Sequence, residues 1–203
     1  MIKGVLFDVG GVLINLDGYH PAKLVADFYN IDQQIARELF NKHLDKLGTE
    51  YVGEEAEEQV WKGIASDINS TKTEIPYFIL HDDFENRLKK NSKVLEMLEN
   101  LKEKGYIVGI LSDTNIIHKK MDVLQEIYSH VDILLLSCDI GVRKPKKEAF
   151  MKALERMKLK AEEVLFIDDR ENIIESAKEY GFNTVLAKNE DQIVDEIKEN
   201  LKL

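Results

Sequence analysis

Cysteine is almost missing from this chain of 203 residues: one thiol, Cys138, leaves no partner for an intrachain disulfide. It follows an apolar segment, where a small buried side chain is expected before a catalytic thiol. No apolar stretch approaches the length of a membrane span, so a membrane protein is not expected. The start, "IKGVLFDVGGVL", lacks a basic opening, a long enough apolar region and a small-residue cleavage site. It is read as a first strand, not a signal peptide, and the protein is expected in the cytoplasm. Basic excess is lacking too: the formal net charge is −10, and lysines alternate with glutamates along helix faces. A general nucleic-acid binder needs a basic stripe, so any phosphate bound here must be held locally. There is no internal repeat and no low-complexity tract.

What is present is a set of short runs rich in Val, Ile and Leu: "IKGVLFD" (2–8), "YIVGILS" (106–112), "VDILLLS" (131–137), "EVLFIDD" (163–169) and "NTVLAK" (183–188). Such runs fit strands covered on both faces. Between the last four lie amphipathic stretches about one helix long, in "IIHKKMDVLQEIYSH", "PKKEAFMKALERM" and "NIIESAKEYG". Strand and helix alternating in this way imply an α/β fold with a doubly wound parallel sheet. Residues 15–91 break the alternation, with helical patterns in "PAKLVADFYN", "DQQIARELFNKHLDKL", "EEAEEQVWKGIASDI" and "YFILHDDFENRLKK" and no convincing strand. The expected layout is therefore a core of residues 1–14 and 92–203 with a helical lobe, 15–91, inserted into it.

Ligands of open parallel sheets bind outside the carboxyl ends of the strands. Asp8 ends the first run, Ser112 the second, and Asp168 with Asp169 the fourth. Polar groups placed alike in three strands point to one site.

The stretches "FDVGGVL", "ILSDTN", "GVRKPKKEAF" and "FIDDRENI" resemble, in order, the four motifs of the haloacid dehalogenase superfamily. The insertion after the first motif resembles its helical C1 cap domain. The resemblance implies a Mg²⁺-dependent phosphatase of small phosphorylated metabolites, possible sugar phosphates included, acting through an aspartyl-phosphate. Asp8 is then the nucleophile. Attack by a carboxylate on a phosphate monoester joins two anions, so a cation must screen them and donors must orient the phosphoryl group. The resemblance makes Asp8, Asp169 and the backbone carbonyl of Gly10 the metal ligands, with Asp168 supporting them; a swap between the adjacent aspartates stays open. Ser112 matches the hydroxyl that donates to a phosphoryl oxygen, and Asp113, beside it, suits a helix cap or the substrate site. Lys144 matches the lysine that neutralises phosphate and nucleophile. Its neighbour Arg143 is expected to point away, because neighbours on a strand or tight turn diverge.

Two departures stand out. Phosphatases of the superfamily usually carry a second aspartate two residues after the nucleophile; here that place holds Gly10, as in members similar to glucose-1-phosphatase and to the N-terminal domain of epoxide hydrolase. Gly10 and Gly11 let the chain turn tightly round a phosphate and bring backbone amides close, but they transfer no proton. The place four beyond Asp169, often acidic or amide, holds Ile173, with Asn172 one step earlier. The alternative is thus a phosphate-binding or regulatory protein with little turnover. A dehalogenase or a phosphomutase fits the residues less well. In the lobe, Tyr19, His20, Trp61 and Tyr77 are substrate-contact candidates, with packing the commoner use of such rings. His43 and His81 lack zinc-site spacing and are expected to be exposed on helices. Oligomeric state is not legible.

Overall fold

The computed structural model describes residues 1–17, 21–44, 46, 56–72, 84–114 and 116–203. Seven strands are present among them: β1 (Gly4–Phe7), β2 (Ile14–Leu16), β3 (Leu88–Lys90), β4 (Ile107–Ser112), β5 (Ile133–Leu136), β6 (Val164–Asp168) and β7 (Asn183–Leu186). Five form one sheet in the order β5-β4-β1-β6-β7, with every pairing parallel. The chain builds outward from β1 to β5 on one side, then returns to build β6 and β7 on the other. This reversal leaves a crevice beside the carboxyl end of β1.

Side chains alternate across each strand, so one run feeds two cores. Val5, Phe7, Val108, Ile110, Leu165 and Ile167 pack with Val94, Leu98, Ile193 and Ile197 from helices Ser92–Glu103 and Glu190–Leu201. Leu6, Leu111 and Phe166 pack on the other face with Phe150, Ala153, Ile174 and Ala177 from helices Lys147–Met157 and Glu171–Glu179. Burial on both faces is why the strands read as unbroken apolar runs.

Helices Pro21–Tyr29, Gln33–Leu44 and Ala56–Asp67 follow three of the lobe patterns. They share a separate apolar cluster that includes Val25, Ala36, Val60 and Ile64. Trp61 belongs to it, 5.7 Å between ring centroids from Phe40, so its ring packs the lobe. Half of the fourth pattern, residues 77–83 with Tyr77 and His81, lies outside the described residues, as do Tyr19 and His20.

Three expectations are corrected. His43 is 4% exposed, because Asp67 at the end of a neighbouring helix folds over it and meets Nε2 at 2.9 Å. Cys138 is exposed: β5 ends two residues before it, and the thiol sits on the short helix Ser137–Ile140 outside the sheet. The interval from 15 to 91 also contains strand, since β2 pairs antiparallel with β3, Leu16 opposite Leu88. Asn91 anchors this ribbon to the core. Its side-chain amide donates to the Val12 carbonyl at 2.7 Å and its oxygen accepts from Asn15 Nδ2 at 2.6 Å. Among the described residues no helix is long and apolar enough to cross a membrane.

Candidate active site

Register alone brings two of the carboxylates together. Phe7 pairs with Ile167, and the N–H of Asp8 donates to the Ile167 carbonyl at 2.9 Å, so Asp8 and Asp168 leave adjacent strands side by side. Both are buried. Two like charges in so dry a place need counter-charge, and Lys144 supplies it. Its ammonium lies 2.5 Å from Asp168 Oδ2 and 3.0 Å from Asp8 Oδ1, with the lysine side chain fully shielded.

Arg170 closes the network from the rim. Its backbone N–H and its Nε both reach Asp168 Oδ1, at 3.0 and 3.3 Å, and Nη2 lies 3.2 Å from Asp113 Oδ2 and 3.9 Å from Asp8 Oδ2. Asp113 Oδ1 accepts from the Lys144 backbone N–H at 3.0 Å. Asp168 is thus held by both cations, while Asp169 turns outward and is exposed.

The electrostatic balance follows from this packing. Burial lifts the Asp8 carboxyl; Lys144 opposes that, Asp168 adds to it, and the result is a pKa of about 6. Burial would lift Asp168 as well, but Lys144 and Arg170 outweigh it and hold that carboxyl below its ordinary value. Enclosure by the protein and then the charge of Asp168 raise Asp169. Four carboxylates therefore share two cations, and the surplus negative charge sits on Asp8 and Asp169.

One oxygen from each of Asp8, Asp168 and Asp169 lies within 4.8 Å of the others. An all-oxygen set with surplus negative charge suits a hard divalent cation. Asp168 is the most heavily engaged of the three, by Lys144 and Arg170, so Asp8 and Asp169 are the better placed to offer oxygens to a metal. Gly11 is shaped to this pair. It adopts φ +70°, and a Cβ there would stand 2.5 Å from Cγ of Asp169. Gly10 has nothing within 4 Å of the corresponding position.

A cavity of about 480 Å³ opens above these groups, lined by Asp8, Gly10, Gly11, Ser112, Asp113 and Asp169, and also by Asn15, Leu16, Asp17, Arg143 and Arg170. The structure therefore gathers every residue singled out at the strand ends. Lys144 and Asp168 lie behind the wall, where they act on Asp8. Ile173 is in the hydrophobic core and Asn172 is exposed, so neither supports the carboxylates. The expected divergence of Arg143 from the site does not hold: residues 141–146 form an irregular turn without strand alternation, and Arg143 lines the cavity.

Sequence reasoning missed Arg170 and Ser137. The hydroxyl of Ser137 accepts from the Thr114 N–H at 3.0 Å and donates to the Thr114 carbonyl at 2.9 Å, fixing the loop after Ser112. Its signal was available: Ser137 ends its apolar run as Ser112 does. For Arg170 the only hint was a cation directly after two acids.

A family model for haloacid dehalogenase-like hydrolases matches residues 2–181. A glyceraldehyde 3-phosphate phosphatase of Methanocaldococcus jannaschii is 29% identical over 194 residues, 91% of this chain and 84% of that one. Bifunctional epoxide hydrolase 2 of Rattus norvegicus is 30% identical over 103 residues, which are 48% of this chain but 19% of that protein. Among solved structures, a HAD family enzyme of Bacteroides thetaiotaomicron in complex with magnesium and inorganic phosphate aligns with a TM-score of 0.72 at 26% identity, covering 93% of this chain and 96% of the other.

Proposed function

Because the chain belongs to the haloacid dehalogenase-like hydrolases, we propose that it is a Mg²⁺-dependent phosphatase of small phosphorylated metabolites, sugar phosphates among them, with Asp8 as the nucleophile. The observation that carries this reading is the pairing of Asp8, buried at the end of β1 with the Lys144 ammonium behind it at 3.0 Å, with an outward-turned Asp169 beside an open cavity. Asp8 and Asp169, with the Gly10 carbonyl, would hold Mg²⁺, which supplies screening of the negative charge on nucleophile and phosphoryl group. Asp168 positions Lys144 and Arg170.

In the first step an oxygen of Asp8 bonds to phosphorus as the ester P–O bond breaks, and the leaving alkoxide takes a proton. No side chain at Gly10 can give that proton, so water gives it. In the second step water adds to phospho-Asp8, the Asp8–phosphorus bond breaks, and inorganic phosphate leaves with the carboxylate restored. Ser112 and the backbone amides of the Gly10-Gly11 turn orient the phosphoryl oxygens. Residues 15–91 are assigned as a cap domain that closes over this site and keeps bulk water out.

Gly10 is also what favours a second reading, a phosphate-binding or regulatory protein with little turnover. One assay separates the two. With Mg²⁺ and p-nitrophenyl phosphate, wild type turns over and a folded Asp8→Asn variant does not; phosphate binding without turnover in either protein would favour the binding protein.

A further inference from the structure

The cations around the cavity are not equally occupied. Lys144 is committed to Asp8 and Asp168, Arg170 to Asp113 and Asp168, and Lys89, beyond the rim, to Asp17 at 2.8 Å. The guanidinium of Arg143 makes no ion pair or hydrogen bond with any described residue, although it lines the same cavity. Asp113, which is hydrogen-bonded to the very next residue of this loop, has both oxygens taken, by the Lys144 N–H and by Arg170. The carboxylate of Asp17, the other acid on the wall outside the Asp8 cluster, is answered by Lys89.

A guanidinium presents a planar fork of donors that fits a carboxylate or phosphate through two parallel hydrogen bonds. It lines the cavity within reach of a substrate there, and its guanidinium is paired with none of the described acids. The cavity, about 480 Å³, is also larger than a phosphoryl group needs and matches the size of a small metabolite site. We propose that Arg143 binds a second anionic group, carboxylate or phosphate, on the substrate whose scissile phosphate lies at Asp8, so that phosphate monoesters carrying another negative charge are the preferred substrates. This rests on the phosphatase reading above. It also gives the two neighbours of the "RKP" turn separate tasks, Lys144 for the nucleophile and Arg143 for the far end of the substrate.

The test compares kcat/KM for 3-phosphoglycerate against glycerol 3-phosphate, and for fructose 1,6-bisphosphate against fructose 6-phosphate, in wild type and Arg143→Met with Mg²⁺. In at least one pair the member with the extra charge is expected to lead by about tenfold or more in wild type, and that lead is expected to vanish in the variant. The pair that responds tells carboxylate from phosphate. Ratios near one in both wild-type pairs, or a lead that survives in Arg143→Met, would overturn the proposal. Thermal shifts with the same compounds keep it separate from the phosphatase reading. If no ester is hydrolysed, p-nitrophenyl phosphate included, catalysis fails as a reading; stronger stabilisation of wild type by a doubly anionic compound, lost in the variant, would still support Arg143, and its absence would overturn it.

Discussion

Asp168 and Asp169 are neighbours in sequence with opposite work. The Asp168 side chain is wholly buried between Lys144 and Arg170, so removing it takes the nearer of two carboxylates from a buried ammonium and leaves that ammonium to Asp8. Asp168→Ala is expected to cost roughly 3–5 kcal/mol, read from urea unfolding, as when one partner of a buried ion pair is lost. The two glycines differ just as sharply. In Gly11→Ala the new methyl must displace Asp169 and the backbone must hold φ +70°, so Mg²⁺ affinity measured by calorimetry should drop. Gly10 has open space, and Gly10→Asp should fold normally. In wild type, turnover should rise steeply with leaving-group acidity across a series of aryl and alkyl phosphates. The restored carboxylate should flatten that slope, general acid assistance being worth about 10² to 10⁴-fold. At this scale Asp8, Ser112 and Asp169 were legible because each stands where an apolar run stops. Arg170 was not, since nothing local says that its side chain doubles back across Asp168 to an acid 57 positions earlier.

Asn91 shows what an element boundary can do besides cap a helix. It precedes helix Ser92–Glu103 without making a side-chain cap, because its amide is spent on Val12 and Asn15. Asn91→Ala leaves a carbonyl and an amide without partners in a buried joint, and should destabilise the protein by about 1–3 kcal/mol in denaturant titration. In the lobe, the hydrogen bond from Lys42 and then that from His43 hold the Asp67 carboxyl below its ordinary value. A carboxyl depressed on folding contributes stability above its unfolded pKa and loses it as pH falls through the folded one. The difference in melting temperature between wild type and Asp67→Asn should therefore be full near neutrality and shrink below about pH 4. The five core strands were readable as apolar runs covered on both sides. The β2–β3 ribbon was not, because three residues are too few to show alternation, and Leu88–Lys90 becomes strand only by meeting a partner more than 70 residues away.

For the molecule as a whole, the surplus negative charge at the head of the sheet should couple folding to metal. A cation that binds only the folded form stabilises it by mass action, about 2.7 kcal/mol at a hundredfold excess over Kd. Mg²⁺ should raise the melting temperature of wild type and a chelator should reverse the rise, while Asp169→Asn should melt at one temperature with or without the ion. The lone thiol offers a way to watch such events. Cys138 is exposed and directly follows Ser137, the hydroxyl that grips Thr114 in the loop after Ser112, beside the cavity. A maleimide dye would couple at that one address without mutagenesis, and its emission would turn the arrival of a ligand beneath it into an optical signal.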